Sequence, residues 1–211
     1  MTYIITCLRA SRLLPLLALG AGAAAAQLPG AGAHVTPYVG YMVFGSYFDG
    51  PLGTTLTNAP GFLYGTQADY RLSPNVAVVA NLGYTSSDLQ VGLPYLGGIS
   101  VGKSSMLVYD ADLELDLPNT TTGSLRLSPF FQAGAGGIRY DITESIVKTR
   151  ATNLAGNIGV GADVPMGRGL ALRVMAKDYI GKFNFQDAIG FDVNGSTAHN
   201  WAFSAGMKFD F

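Results

Sequence analysis

The sequence predicts an all-β chain, an eight-stranded antiparallel up-and-down transmembrane β-barrel. Three observations lead there. Apolar and polar residues alternate with period two through most of the chain after residue 27, the connections alternate between short and long, and only 27 of 211 residues are charged. Alternation of this strictness sorts side chains onto the two faces of a strand, whereas a helix would spread both sets around its circumference. No stretch after residue 27 stays apolar for the roughly 20 residues that a membrane-spanning helix needs. Glycine has no three-residue period and apolar residues are frequent, which excludes collagen-like and disordered chains.

Residues 1–26 read as a secretory signal peptide. Arg9 and Arg12 open it, an apolar core runs through residues 13–23, and Ala24-Ala25-Ala26 before Gln27 has the small-residue spacing of a cleavage site. Residues 27–34 form a short lead, and residues 35–211 form the barrel. The single cysteine, Cys7, belongs to the signal segment, so the exported chain has no thiol nucleophile, disulfide or thiolate metal site. Loss of Arg9 and Arg12 leaves 11 basic against 14 acidic residues, a formal net charge of −3. The basic footprint of a nucleic-acid binder is missing, and no nucleic-acid partner is expected.

Eight segments of about 9 to 12 residues, the length of a tilted membrane-crossing strand, carry the alternation. They fall at 35–44, 62–72, 76–84, 105–117, 125–140, 153–164, 170–179 and 201–211. The clearest is 105–117, with Leu107, Tyr109, Ala111, Leu113, Leu115 and Leu117 on one face and Val108, Asp110, Asp112, Glu114 and Asp116 on the other. In 62–72, Phe62, Tyr64, Ala68 and Tyr70 oppose Leu63, Gly65, Gln67, Asp69 and Arg71. In 170–179, Leu172, Val174 and Ala176 oppose Arg173, Met175 and Lys177. The connections 73–75, 118–124 and 165–169 are short, and 45–61, 85–104, 141–152 and 180–200 are long. Short turns on one rim and long loops on the other suit an up-and-down barrel, whose even strand count lets the sheet close without a free edge. Ten strands also fit if one long loop hides a hairpin.

The direction of the faces follows from charge and aromatics. Asp69, Arg71, Asp110, Asp112, Glu114, Asp116, Arg126, Asp163, Arg173, Lys177 and Lys208 share the polar parity. A small lumen holds such acids only if bases pair with them, because an isolated buried charge is strongly unfavourable. A register symmetric about Thr121 would set Asp116 opposite Arg126. A water-soluble barrel would turn the charged face outward. Here Tyr70, Tyr84, Tyr109, Trp201, Phe209 and Phe211 sit on apolar faces near strand ends, where interfacial girdles belong. The apolar face is therefore expected to meet outer-membrane lipid.

The stretches Val35-Thr36-Pro37-Tyr38-Val39-Gly40 and Gly159-Val160-Gly161-Ala162-Asp163-Val164, with the closing segment from Trp201 to Phe211, resemble small outer-membrane barrels of the OmpA/OmpX type. The resemblance covers the whole mature chain and implies a bacterial outer-membrane location. Phe203, Ala205, Met207, Phe209 and Phe211 alternate up to the C-terminal aromatic. In that family such an end implies recognition by the barrel-assembly machinery, which assigns Phe203, Met207, Phe209 and Phe211 to an assembly signal.

Other motifs carry less. Gly97-Gly98-Ile99-Ser100-Val101-Gly102-Lys103-Ser104 matches a phosphate-binding loop letter for letter, but that chemistry needs a preceding strand and a following helix. No nucleotide is expected. The acidic series from Asp110 imitates a calcium loop, yet Leu115 occupies the place of its turn glycine, and no metal or cofactor is expected. The expected role is structural or surface-interactive. An extracellular ligand would be met by the long loops, which carry Tyr47, Phe48, Phe183, Phe185 and Phe191. A narrow cation-preferring channel is the second reading, because Gly65, Gly83, Gly134, Gly136, Gly159 and Gly161 would leave lumen space. A lipid hydrolase is the third, built on His199 with Ser196 or Ser204 and with Asp187 or Asp192 as orienter. The leading expectation is a non-enzymatic barrel.

Overall fold

The computed structural model describes residues 32–45, 48–49, 55–93, 97–123, 125–143, 148–182 and 197–211. The proposed signal segment, the tempting loop aromatics Tyr47, Phe183, Phe185 and Phe191, and Ser196, Asp187 and Asp192 lie outside the described residues.

The described residues form strands β1 (Ala33–Val43), β2 (Phe48–Asp49), β3 (Thr55–Asn58), β4 (Gly61–Ser73), β5 (Val76–Leu93), β6 (Gly97–Asp116), β7 (Thr120–Thr122), β8 (Leu125–Thr143), β9 (Lys148–Gly167), β10 (Leu170–Lys182) and β11 (Thr197–Asp210). Eight of these are staves. The hydrogen-bonded order β5-β4-β1-β11-β10-β9-β8-β6 returns to β5 through the β5–β6 pairing, so the ring closes. Every pairing is antiparallel. The short hairpin of β2 and β3 attaches to the upper part of β5 through Thr55↔Gly92 and Asn58↔Leu89. A long loop thus does contain a hairpin, but it extends one stave and adds none to the ring.

Register fixes the geometry of the barrel. From Ala33 the partners run through Tyr70, Val78, Leu113, Ala133, Ile158, Asp178 and Trp201 and return to β1 at Val43, ten residues from the start. Ten residues at about 3.3 Å each, set against eight strands spaced about 4.8 Å apart, give a tilt of about 41° and a backbone radius of about 8 Å. Each step along that path climbs about 3 Å toward the long-loop rim. An interior of this width is just filled by side chains.

Burial follows the parity of the sequence. Asp110, Asp112 and Glu114 on β6 are buried, whereas Leu113 and Leu115 between and beside them stay 55% and 46% exposed. The outward set includes Val39, Tyr64, Leu82, Tyr109, Val160, Val174 and Phe203. A soluble protein would not leave this apolar surface in water, but hydrocarbon accepts it. Tyr41, Phe62, Tyr64, Tyr109, Trp201 and Phe203 are exposed around the upper end, and Phe209 and Phe211 at the lower. Cross-strand ring contacts order the upper girdle: Tyr41 meets Phe62 edge-on at 5.8 Å and Tyr64 lies 5.3 Å from Tyr84.

The tight lower turns depend on glycine. Gly123 (φ 62°) and Gly169 (φ 72°) adopt left-handed backbone that a Cβ would strain. Gly123 also corrects the sequence reading. β7 folds back on β8 with Thr121 opposite Arg126, and the staves β6 and β8 set Asp116 opposite Phe130. The expected Asp116–Arg126 pair is not formed: a hairpin centred on Thr121 ignores the extra residues that β7 and the glycine turn take up. Arg126 is exposed, outside the lumen.

Candidate functional site

The inward side chains are arranged in layers up the lumen. Near the short-turn rim, Arg71 pairs with Asp116 across β5 and donates to the Pro74 carbonyl at 2.9 Å. The His34 Nδ1 lies 2.5 Å from Asp69 Oδ2. Lys208 Nζ stands 3.7 Å from the same oxygen and 3.3 Å from Asp163 Oδ2. His34, Arg71, Asp116, Asp163 and Lys208 line a polar pocket of about 440 Å³ at the lower mouth.

The next layer centres on Arg173, 2% exposed. Its guanidinium donates to Glu114 at 2.8 and 3.0 Å and to Asp163 at 2.7 and 2.8 Å. This is a doubly bidentate arrangement, which a planar fork makes and an ammonium does not. The guanidinium carbon sits 4.2 Å from the centre of the Phe130 ring. Gln132 donates to Glu114 at 2.7 Å.

Above it, Lys177 Nζ donates to Asp110 at 2.9 Å and to Asp112 at 2.5 Å. Asn157 donates to Asp112, Asn81 and Tyr179 both donate to Asp110, and Tyr38 donates to Asn81, all between 2.8 and 3.0 Å. Higher still, apolar side chains join buried Thr85, Ser104, Asn153 and Asn200. Met42, Phe44, Leu63, Met106, Val108, Ile138 and Tyr140 cluster there with Tyr38 and Tyr179.

The inward glycines explain how large side chains fit. A Cβ on Gly134 would strike Asp112 and one on Gly136 would strike Asp110, so these glycines opposite β6 make room for its acids. Gly65 and Gly83 receive the Tyr38 ring and hydroxyl, Gly161 receives Phe130, and Gly159 borders Lys177. The space expected at these glycines is therefore occupied by neighbouring side chains.

Of the sequence-predicted charges, the structure brings together Asp69, Asp110, Asp112, Glu114, Asp163, Arg173, Lys177 and Lys208, pairs Arg71 with Asp116 at the lower mouth, and leaves Arg126 out. Sequence reasoning missed Tyr38, Gln67, Asn81, Gln132, Asn157 and Tyr179. All six have the inward parity of their strands, so parity would have found them had neutral polar groups been counted beside the charges. Phe203, Phe209 and Phe211 are exposed on the outer face of the last strand, with Met207 on the same parity.

Outside the barrel, His199 Nδ1 lies 2.7 Å from Asp178 Oδ2. Asp178 replaces the orienters expected for this histidine. Ser204 occupies the inward parity of β11 and His199 the outward one, so the two stand on opposite faces and form no nucleophile–base pair. Gly97 to Ser104 lie within strand β6, so the loop-then-helix geometry that cradles phosphate is not formed. Among the described residues no group of His, Cys, Asp and Glu has metal-binding geometry.

A closed eight-stave ring, an apolar girdled exterior and a polar interior define a transmembrane β-barrel of the bacterial outer-membrane class. The chain belongs to the outer membrane protein beta-barrel domain family, whose model matches residues 13–209. Among solved structures it is similar to Neisserial surface protein A, with TM-score 0.60 and 16% identity over 86% of this chain and 99% of that one. It is also similar to the outer membrane protein OprG from Pseudomonas aeruginosa, with TM-score 0.56 and 13% identity over 85% and 96%. The outer membrane protein AlkL gives TM-score 0.56 and 16% identity over 85% and 90%. At these identities the likeness concerns the fold. No curated protein sequence matches the chain.

Proposed function

We propose that the protein is an integral outer-membrane barrel with a structural and surface-interaction role, its lumen plugged by polar side chains and its binding carried by the long outer loops. One observation supports this above others: the room at the inward glycines is taken by Tyr38, Asp110, Asp112, Phe130 and Lys177. The apolar cluster above the charges adds a barrier to ions. Recordings of the purified barrel in planar bilayers test the reading, and silence at high protein load is the expected result. Regular unitary steps would overturn it.

The second reading, a narrow cation-preferring channel, is favoured by the buried charge balance. Among the described residues buried in the lumen, Asp69, Asp110, Asp112, Glu114 and Asp163 are acids and Arg173, Lys177 and Lys208 are bases. Cation over anion selectivity in the same recordings would support it. Export by a signal peptide belongs to the proposal as well, and N-terminal sequencing of the membrane-inserted protein should begin at Gln27. Recognition by the barrel-assembly machinery through Phe203, Met207, Phe209 and Phe211 predicts that Phe211→Ala lowers the yield of inserted barrel. An unchanged yield would remove that assignment. As a non-enzymatic barrel, the protein should show no lipid-hydrolysing activity that His199→Ala abolishes.

A further inference from the structure

The ladder that joins the first stave to the last carries a defect. Between β1 and β4, ten consecutive rungs run from Ala33↔Tyr70 to Met42↔Gly61 without a break. Between β1 and β11, the rungs His34↔Asp210 and Val35↔Phe209 are followed by Tyr38↔Gly206, so Thr36 and Pro37 have no ladder partner on that side. The cause is the direction of the Pro37 nitrogen. Phe211 N–H donates to the Ala33 carbonyl at 3.0 Å. Residues two apart on a strand turn their backbone groups to the same neighbour, so Val35, Pro37 and Val39 also face β11. Pro37 has no N–H to give, and the carbonyl of Met207, which the register sets opposite it, loses its donor.

This loss confines proline within sheets to edges, first residues and bulges. Pro129 lies just beyond the end of the β6 ladder and Pro165 beside the bulge at the lower turn. Pro37 has four residues of β1 below it and six above. It stands about 10 Å above Ala33, inside the lipid belt, where an unpaired carbonyl is costly.

The defect divides the seam unequally. Above it the rungs are continuous from Tyr38 to Val43, and the backbones approach so closely at Gly40 and Gly206 that a Cβ on either would strike the facing strand. Below it only residues 33–35 hold residues 209–211, with His34 Nε2 at 3.5 Å from Asp210 Oδ1. At the broken rung the Thr36 hydroxyl is buried without a hydrogen-bond partner. The polar pocket of the lower mouth is lined from both sides of this segment, by His34 of β1 and by Lys208 and Asp210 of β11, so water is at hand as the strand edges part. A buried polar group that gains water on opening lowers the cost of opening. Ten rungs keep β1 on β4 and thirteen keep β11 on β10, so neither stave is released.

We propose that the lower end of this seam, residues 33–37 against residues 207–211, is a latch that opens and recloses while the upper seam and the other seven ladders of the ring stay shut. The inference is independent of whether the lumen conducts.

Amide hydrogen exchange, followed residue by residue by NMR on the full barrel in phospholipid nanodiscs, tests the latch. On β11, Phe209 faces β1, whereas Lys208 beside it faces β10, the side on which Asp210 N–H donates to the Gly169 carbonyl at 3.1 Å. The two amides have nearly the same depth and report different ladders. After correction for intrinsic rates, Met207 and Phe209 should exchange about tenfold faster than Lys208 and Gly206, and Phe203 and Ala205 in the upper seam should stay as slow as Lys208. Pro37→Val supplies the missing N–H at an outward position and should slow Met207 and Phe209 by about tenfold while leaving Lys208 unchanged. A heat-modifiable gel band establishes that the variant is folded. Equal exchange of Phe209 and Lys208 in the wild type would overturn the latch, slow rates meaning a closed seam and fast rates a strand end that frays as a whole. Unchanged exchange in Pro37→Val would overturn it as well, because the gap would then not originate at Pro37.

Discussion

Replacing Arg173 by methionine tests the lumen network at its centre. The guanidinium makes four short hydrogen bonds to Glu114 and Asp163, and its carbon lies 4.2 Å from the centre of the Phe130 ring. Methionine keeps an unbranched stem and removes the charge, the donors and the guanidinium contact with the Phe130 ring. Asp163 would retain Lys208 at 3.3 Å, but Glu114, which is fully buried, would keep only the neutral Gln132 amide. Breaking a buried pair by removing one partner costs about 3–5 kcal/mol, because the remaining charge is uncompensated. The loss should fall toward the upper end of that range, since Glu114 loses its cation and Asp163 keeps only Lys208. With a urea slope of about 2 kcal/mol per molar, the unfolding midpoint in phospholipid vesicles should drop by about 2 M. Trp201 fluorescence and the heat-modifiable gel band follow the transition independently. Adding Glu114→Gln to Arg173→Met removes the stranded charge and should restore most of the loss. A single-variant loss below about 1 kcal/mol would refute the network as a stabilising element, as would a double variant less stable than the single one.

Three further outcomes follow from register and facing. Gly134→Ala should lower stability by about 1–3 kcal/mol through overpacking, since the added methyl meets Asp112 and the β6 backbone; equilibrium unfolding measures it, and a neutral result would show that β6 can shift away. Arg126→Ala should change stability by less than about 0.5 kcal/mol, whereas Arg71→Ala, which removes the partner of Asp116, should cost about 1 kcal/mol; the reverse order would restore the register symmetric about Thr121. Leu113→Arg, on the lipid face of strand β6, should destabilise the inserted barrel by about 2–4 kcal/mol; an effect near zero in vesicles would mean that this face meets water.

The strand faces were legible because the period of a strand is two, and a residue's parity survives any error in strand ends. β1 begins at Ala33 and β8 runs to Thr143 without disturbing a single assignment of face. Pairing across strands was less legible. Asp116 was set opposite Arg126 by symmetry about one turn residue, and register depends instead on turn geometry, here on Gly123 and the small β7 ladder. A shift of this kind moves partners without altering faces, so the interior composition was right where one pair was wrong. The neutral members of the network were missed for another reason: Asn81 and Asn157 look like ordinary polar residues until the fold brings Asp110 and Asp112 to them. His199 was read with loop acids, although its partner Asp178 lay one strand earlier at a diagonal register position.

The ladder between β1 and β11 sets the order of events in biogenesis. Every other stave pairs with a stave adjacent in the chain, whereas this one joins His34 to Asp210 across almost the full length of the protein. Its closure entropy grows only with the logarithm of the loop, so distance is a weak penalty once the remaining staves are aligned. The chemical penalty is larger. Until β11 arrives, β1 and β10 each present a row of unpaired amides and carbonyls, which hydrocarbon does not tolerate. Insertion must therefore proceed with both edges shielded, and β11, the last stave of the ring in chain order, is the one that seals them. Joining the termini by a linker and reopening the chain in an outer loop would move that final event to a different seam and turn a post-synthetic closure into a local hairpin.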